Sequence, residues 1–269
     1  MDTYRKLFIP ERPRRVILIT GGTSGIGRAA ALMFAALGDC VAVIGRRAER
    51  LVDLQREAEA ADLPGAILTI EADVTDPAAM QRAVDQTVSR FERLDVVVAN
   101  AGVGHRGPLI ESPWSDLETV LRTNIDGVIH TVRAAVPAMR AGGGGHIVLV
   151  SSILGPVPGA YAGVYSASKA AADALGRALR GELKRDHIGV TVLWVGQTHT
   201  EFAEKRLGQP GRVATRWPTM SPEQIAGGIE RALERRPRTM TVRWIDSLFV
   251  WAGQRFPGLV DRLLARIYG

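Results

Sequence analysis

The sequence predicts an α/β fold: a doubly wound parallel sheet in a single domain, with amphipathic helices at its C-terminal end. Three observations carry that expectation. Short apolar runs alternate with helix-like segments over most of the chain. The runs are almost continuously apolar, the pattern of strands covered on both faces. The first run passes through a glycine-rich turn into an Ala-rich segment, as a strand leading into a helix would.

In order, the strand candidates are VILIT (16–20), CVAVIG (40–45), AILTIEA (66–72), LDVVVANA (94–101), HIVLVSS (146–152) and VTVLWV (190–195). Between the early ones lie the helix candidates GRAAALMFAALG (27–38), RAERLVDLQREAEAA (47–61) and DPAAMQRAVDQTVSRFERL (76–94). Asp76 before Pro77 reads as a helix start, with the proline at the first helical position. No internal repeat or low-complexity linker interrupts the alternation. The expected organisation is an N-terminal arm over 1–14, a catalytic domain over 15–235 with a lid at 200–221, and a helical extension over 236–269.

Composition narrows the function classes. At 269 residues, 46% hydrophobic and 23% charged, the chain can bury a sizeable core and reads as an ordinary globular protein. Its single cysteine, Cys40, makes no internal disulfide, which fits a reducing, cytoplasmic setting. No His or Cys pair has metal-ligand spacing, so no metal is expected. The N-terminal MDTYRKLFIPERPRR lacks the apolar run of a signal peptide, and Gly, Pro and Ser break the uncharged stretch 141–168. Net charge is +6, but the arginines are scattered and paired with Glu, as in ERALERRPR (230–238). The clustered basic stripe of a nucleic-acid binder is absent, so no nucleic-acid partner is expected.

The turn TGGTSGIGRAA (20–30) sets Gly21, Gly25 and Gly27 where strand gives way to helix. Free N–H groups and the positive helix end there suit a pyrophosphate, and glycine lets the backbone approach it closely. This is a Rossmann-type dinucleotide signature. The second strand ends in IGRRAER (44–50), with Gly45 at the position where an acid would hold a ribose 2′-hydroxyl. Arg46 and Arg47 follow, suited to a 2′-phosphate, so NADP is expected ahead of NAD. Ser24 argues the other way, since a second basic residue often occupies that loop.

YSASK (165–169) places a phenol and an ammonium on one helical face, ~6 Å apart along the axis. A free Tyr has a pKa near 10 and is a sluggish acid at neutral pH, and a neighbouring ammonium favours its phenolate. Small Ser166, Ala167 and Ser168 leave that face open. Ser152 ends the strand 13 residues earlier, where its hydroxyl can meet a substrate carbonyl. VVVANAG (96–102) ends a strand in small residues, and Asn124 of LRTNIDGV sits within a helix-like stretch, unfavourable unless it serves a purpose.

Together these motifs resemble the short-chain dehydrogenase/reductase family over roughly residues 15–235. The resemblance implies that Gly21, Thr23, Ser24, Gly25, Ile26 and Gly27 form the cofactor loop and that Asp73 and Val74 flank the adenine. It implies that Asn100, Ala101 and Gly102 line the cofactor, and that Asn124, Ser152, Tyr165 and Lys169 form the catalytic tetrad. In that scheme the carbonyl oxygen lies between Ser152 and Tyr165, and Tyr165 donates a proton as hydride arrives. Lys169 lowers the Tyr pKa and binds the nicotinamide ribose, and Asn124 holds a water relaying protons to Lys169. After VTVLWV the family usually has Pro-Gly; here Val195 replaces the proline, while Gly196, Thr198 and Thr200 remain to meet the carboxamide and pyrophosphate. The family also pairs its long helices, here near 115–140 and 163–186, which implies a homodimer or homotetramer.

Two loop histidines, His105 and His199, stand near the expected pocket, whereas His130, His146 and His187 read as structural. The lid EFAEKRLGQPGRVATRWPTM (201–220), with Trp217, hints at a hydrophobic substrate. Beyond 236, WIDSLFVWAGQRF and LVDRLLARIY read as amphipathic helices. Two explanations stand: they pack on the domain or a partner subunit, or, with Arg255, Arg262 and Arg266 nearby, they make a peripheral membrane contact through 244–268. The expected activity is hydride transfer between NADP(H) and a carbonyl or secondary-alcohol small molecule. The alternative is a non-catalytic NAD(P)-binding sensor of the same fold.

Overall fold

The computed structural model describes residues 13–208 and 218–268. The arm's residues 1–12 and the lid's residues 209–217, Trp217 among them, lie outside the described residues. The elements run β1 (Val16–Thr20), α1 (Gly25–Ala36), β2 (Cys40–Gly45), α2 (Ala48–Ala60), β3 (Ala66–Glu71), α3 (Pro77–Phe91), β4 (Val96–Ala99), β5 (His105–Arg106) and α4 (Trp114–Leu121). A π-helical turn, Arg122–Asp126, joins α4 to α5 (Gly127–Ala141). Then come β6 (Gly145–Ser152), α6 (Gly163–Glu182), β7 (Ile188–Val195), α7 (Glu201–Glu204), β8 (Leu207–Gly208), α8 (Pro222–Arg235), β9 (Thr239–Thr241), α9 (Trp244–Arg255) and α10 (Pro257–Tyr268).

Seven strands form one parallel sheet in the order β3-β2-β1-β4-β6-β7-β9. The order reverses between β1 and β4, which opens a crevice at the carboxyl ends of those strands. The apolar runs predict six of the sheet's seven strands, β1–β4, β6 and β7, because both faces must be dry: β1 and β2 are buried at every position. Two cores result. One gathers Leu18, Met80, Leu94 and Leu149 under α3 and α5, and the other gathers Ile17, Ile19, Phe34 and Ile229 under α1 and α8. Asp76 caps α3 as its spacing predicts, accepting the Ala78 N–H at 2.8 Å.

Sequence reasoning missed β9. Its residues, Thr-Met-Thr, are half-buried and carry no apolar run, yet they pair with Val192–Trp194 at the sheet edge. It also missed the two-residue pairing of β5 with β8, which is too short to have a period.

The last two helices divide their apolar residues between two sides. Val250, Val260 and Leu264 bury against Ile153 and Val157, with Phe249 and Ala252 packed alongside. The stripe Trp244, Leu248 and Trp251 instead faces outward, as do Leu259 and Leu263. Among the described residues no helix is long and apolar enough to cross a membrane.

Gly253 sets how closely α9 approaches the body: a Cβ there would stand 2.5 and 2.6 Å from the two Val157 methyls. Gly181, late in α6, faces open space. Gly253→Ala is expected to destabilise by about 1–2 kcal/mol, overpacking outweighing the helix-propensity gain, whereas Gly181→Ala should stabilise by up to ~1 kcal/mol. Urea midpoints moving in opposite directions at unchanged slope would bear this out.

Candidate active site

The site begins where β1 ends. Gly21 (φ +68°) and Gly25 (φ +53°) take left-handed conformations, and a Cβ on Gly21 would stand 2.7 Å from the Ala101 Cα. A Cβ on Gly27 would stand 2.5 Å from the Gly21 carbonyl oxygen, so Gly27 lets α1 lie directly on the turn. The N-cap residue of α1, Ser24, makes no side-chain capping bond. The first-turn amides of α1 therefore have no partner within the helix and no side-chain cap, beside a surface with no Cβ in the way. This cradle fits a pyrophosphate.

The ends of β2 and β3 supply charge beside it. Arg46 approaches Asp73 at 3.3 Å, and Asp73 also accepts the Thr75 N–H and hydroxyl, each at 2.9 Å. Burial pushes the Asp73 carboxyl up, but the Thr75 bonds and the Arg46 charge outweigh it and hold it below its ordinary range. Arg47 turns into the glycine loop, donating to Thr23 Oγ1 and Ser24 Oγ at 2.8 Å each. A basic side chain thus stands against the glycine loop, from position 47 rather than position 24. A Cβ on Gly45 would stand 2.2 Å from the Thr23 methyl, which keeps an acid from that position while Thr23 stays in place.

The tetrad residues arrive from three elements. Ser152 ends β6, Tyr165 and Lys169 lie one turn apart on α6, and Asn124 occupies the π turn. The Ser152 side chain stands by the Tyr165 hydroxyl, close enough to favour its phenolate, and accepts the Leu154 N–H at 3.2 Å. The Lys169 ammonium sits 5.8 Å from the Tyr165 ring centroid and donates to the Val150 carbonyl at 2.9 Å. Asn124 is spent on backbone and scaffold: its amide donates to Val103 O (3.0 Å) and Ser168 Oγ (2.9 Å), and its oxygen accepts the Val103 N–H (2.8 Å). The expected water relay therefore meets a side chain whose two donors are already used.

The electrostatics differ from the sequence expectation. Burial pushes the Tyr165 phenol above its ordinary value, opposed by the Ser152 side chain and the charge of Arg206. Burial lowers Lys169 to about 8, opposed by the Asp173 carboxylate one turn further along α6. The relief that the sequence assigns to Lys169 comes here from Ser152 and Arg206. The physical reason is that desolvation penalises both partners at once, and Lys169 is itself 7% exposed.

These groups open on one cavity of about 1020 Å³. Every expected cofactor and catalytic residue lines it except Gly27 and Asn124, which stand behind its wall. His105 lines it too, buried, with neither ring nitrogen hydrogen-bonded. His199 is exposed and does not line it. His146 bonds Thr191 and is pushed by burial to about 4, and His130 bonds the Val74 carbonyl. Residues that sequence reasoning missed complete the walls: Phe202 and Arg206 from the lid, and Phe249, Leu263 and Leu264 from the last helices. Arg243 and Asp246 were missed as well. Their pair, at 2.8 Å, puts the Asp246 carboxylate against Gly196, where a Cβ would stand 2.7 Å from it. Only the Arg-x-x-Asp spacing at the helix start signalled it.

Residues 15–210 match the short chain dehydrogenase family. The chain is 33% identical to the bovine dehydrogenase/reductase SDR family member 7B over 260 residues, covering 93% of this chain and 80% of that protein. It is 36% identical over 197 residues to oxidoreductase asL5 of Sarocladium schorii, covering 73% of this chain and 77% of that one. Among solved structures, a Burkholderia phymatum short chain dehydrogenase/reductase in complex with NAD aligns with TM-score 0.83 at 25% identity, over 95% of this chain and 97% of that one. An alcohol dehydrogenase from the archaeon Thermococcus sibiricus, complexed with 5-hydroxy-NADP, aligns with TM-score 0.74 at 26% identity, over 85% and 96%. By sequence and by fold, the chain belongs to the short-chain dehydrogenase/reductase family.

Proposed function

We propose that this protein is an NADPH-preferring carbonyl reductase acting on hydrophobic ketones. The observation that carries the reading is convergence: the glycine cradle, the Ser152–Tyr165 pair and Lys169 all open on the same cavity. The nicotinamide cofactor, when bound, supplies the hydride. Gly21 through Gly25 and the α1 N-terminus would hold its pyrophosphate, and Arg46 and Arg47 its 2′-phosphate. Solved relatives bind either dinucleotide, one NAD and another an NADP derivative. Arg47 in the loop is what favours the phosphorylated form here.

Ser152 and Tyr165 hydroxyls together hold the substrate carbonyl oxygen. Tyr165 gives up its O–H proton as the carbonyl carbon accepts hydride, so one C–H and one O–H bond form and the ketone becomes a secondary alcohol. Burial suits this direction at neutral pH, because it keeps the phenol protonated. Lys169 steadies the phenolate left behind. It keeps two N–H groups beyond its bond to Val150, free to hold the ribose. Asn124 acts as a positioning residue, tying the loop at Val103 to α6 through Ser168.

Tyr165→Phe removes only the hydroxyl. Turnover should fall roughly 10²–10⁴-fold while NADPH binding, read by nucleotide fluorescence, persists. Turnover equal to wild type would remove Tyr165 as the proton donor, and cofactor binding without turnover in wild type itself would favour the sensor alternative. In the reductive direction, kcat/KM should fall as pH rises through about 8, since Lys169 is charged below that value and neutral above it. A rate flat to pH 10 would count against Lys169 steadying the phenolate. Arg46→Ala should lower the NADPH-to-NADH ratio of kcat/KM roughly tenfold, the worth of one partly exposed charge-assisted contact. An unchanged ratio would remove Arg46 from cofactor choice.

A further inference from the structure

The substrate end of the cavity carries a cation that the chemistry above does not require. Arg206 directly precedes β8, whose pairing with β5 through His105↔Leu207 and Arg106↔Gly208 fixes the backbone there. Gly104 makes room for its stem: a Cβ on Gly104 would stand 2.8 Å from Arg206 Cγ and 3.0 Å from the Phe202 ring. The Phe202 and Tyr165 ring centroids are 5.9 Å apart. Arg206, Phe202 and Tyr165 are therefore neighbours on one wall.

The other cations of the cavity are engaged. Arg47 and Lys205 meet Glu201, as does Arg50 outside the cavity, Arg46 meets Asp73, Lys169 donates to Val150, and buried Arg106 is engaged as well. Half-buried Arg206 makes neither an ion pair nor a hydrogen bond among the described residues. A partly desolvated guanidinium without a counter-charge is costly. Tyr165 does not provide that charge, because burial keeps its phenol neutral. The cofactor's phosphates have their own donors at the other end, in the α1 N-terminus and Arg46 with Arg47. Near Arg206, His105 adds two buried, unpartnered ring nitrogens to the cavity wall.

We propose that Arg206 is the anion subsite of the substrate pocket: the substrate is a ketone with an acidic group, carboxylate or phosphate, a few bonds from its carbonyl and an apolar remainder. This rests on the carbonyl-reductase reading. The guanidinium fork suits either oxyanion, and the remainder lies along Phe249, Leu263 and Leu264.

The test uses the full chain with NADPH and two matched pairs of probes. One pair is 4-oxododecanoate and its methyl ester, and the other is a long-chain hydroxyketone phosphate monoester and its free alcohol. Wild type should prefer the anion in at least one pair by roughly ten- to a hundredfold in kcat/KM, carried mainly by KM. The responding pair identifies the acid. Arg206→Gln should bring that ratio close to one, and Arg206→Lys should retain part of it. Calorimetric binding of the same probes to the protein–NADP+ complex reads the ratio independently of turnover. A preference missing in both readouts, or one that survives Arg206→Gln, overturns the subsite. So does Arg206→Gln weakening NADPH binding without changing the ratio, which would assign Arg206 to the cofactor. Neutral ketones turning over with no preference for acid would sink the subsite alone, whereas no turnover of any ketone or alcohol with either cofactor would sink the reductase reading.

Discussion

The site depends on how the carboxyl ends of β1 and β4 are held where they diverge. At that point the two strands can no longer satisfy each other's backbone, and unpaired buried carbonyls are costly. Asn100 resolves this by donating to both the Thr20 (3.0 Å) and Gly21 (3.2 Å) carbonyls, while the Thr20 hydroxyl accepts the N–H groups of Asn100 and Ala101, each at 3.1 Å. The glycine turn is thereby bolted to the loop that carries Gly102 and Val103. Asn124 grips that loop from below through Val103, and through Ser168 it reaches α6. Cradle and tetrad are connected by side-chain amides bonded to backbone, so each fixes the position of the other.

What the sequence made legible follows from how local each feature is. Strands buried on both faces write themselves as apolar runs, and β1 and β2 match their runs at both ends. A helix brings Tyr165 and Lys169 together by its own geometry, so four-residue spacing is enough to read the pair. The edge strand β9 has no such signature, because its three residues, Thr-Met-Thr, are only half-buried and carry no apolar run. Arg206 and Asp246 matter through contacts made across the chain, at Gly104 and Gly196, and no local pattern announces those. The expectation for Tyr165 failed on a physical point. A neighbouring cation favours the phenolate, but burial penalises phenolate and ammonium alike, and burial is the first cause for both residues.

That shared burial says how the pair works. Lys169 at about 8 is close to losing its proton, and Asp173 behind it is what keeps it charged. Asp173 is held in turn by the Trp194 indole N–H at 3.0 Å on one oxygen, its other oxygen is buried without a partner, and burial pushes its carboxyl above the ordinary range. Phenol, ammonium and carboxylate thus follow one another at successive turns of α6: Asp173 acts on Lys169, while Ser152 and Arg206 act on Tyr165.

The C-terminal helices bear on the same chemistry from the other side. Leu264 is buried against the core cluster that includes Ile153, directly after Ser152, so α10 is part of the active-site wall. Leu263 beside it lines the cavity yet stays 53% exposed, which sets the apolar channel open to the surface at α10. The outward residues of α9 and α10, Trp244, Leu248, Trp251 and Leu259, add exposed apolar surface on the same two helices. In the proposed reading, the apolar remainder of a ketone held at Ser152 and Tyr165 would run along Leu263 and Leu264, while its acidic group would stay beside Arg206. Such a cavity would select opposite properties in one molecule, with the reacting carbonyl held between its apolar and its cationic wall.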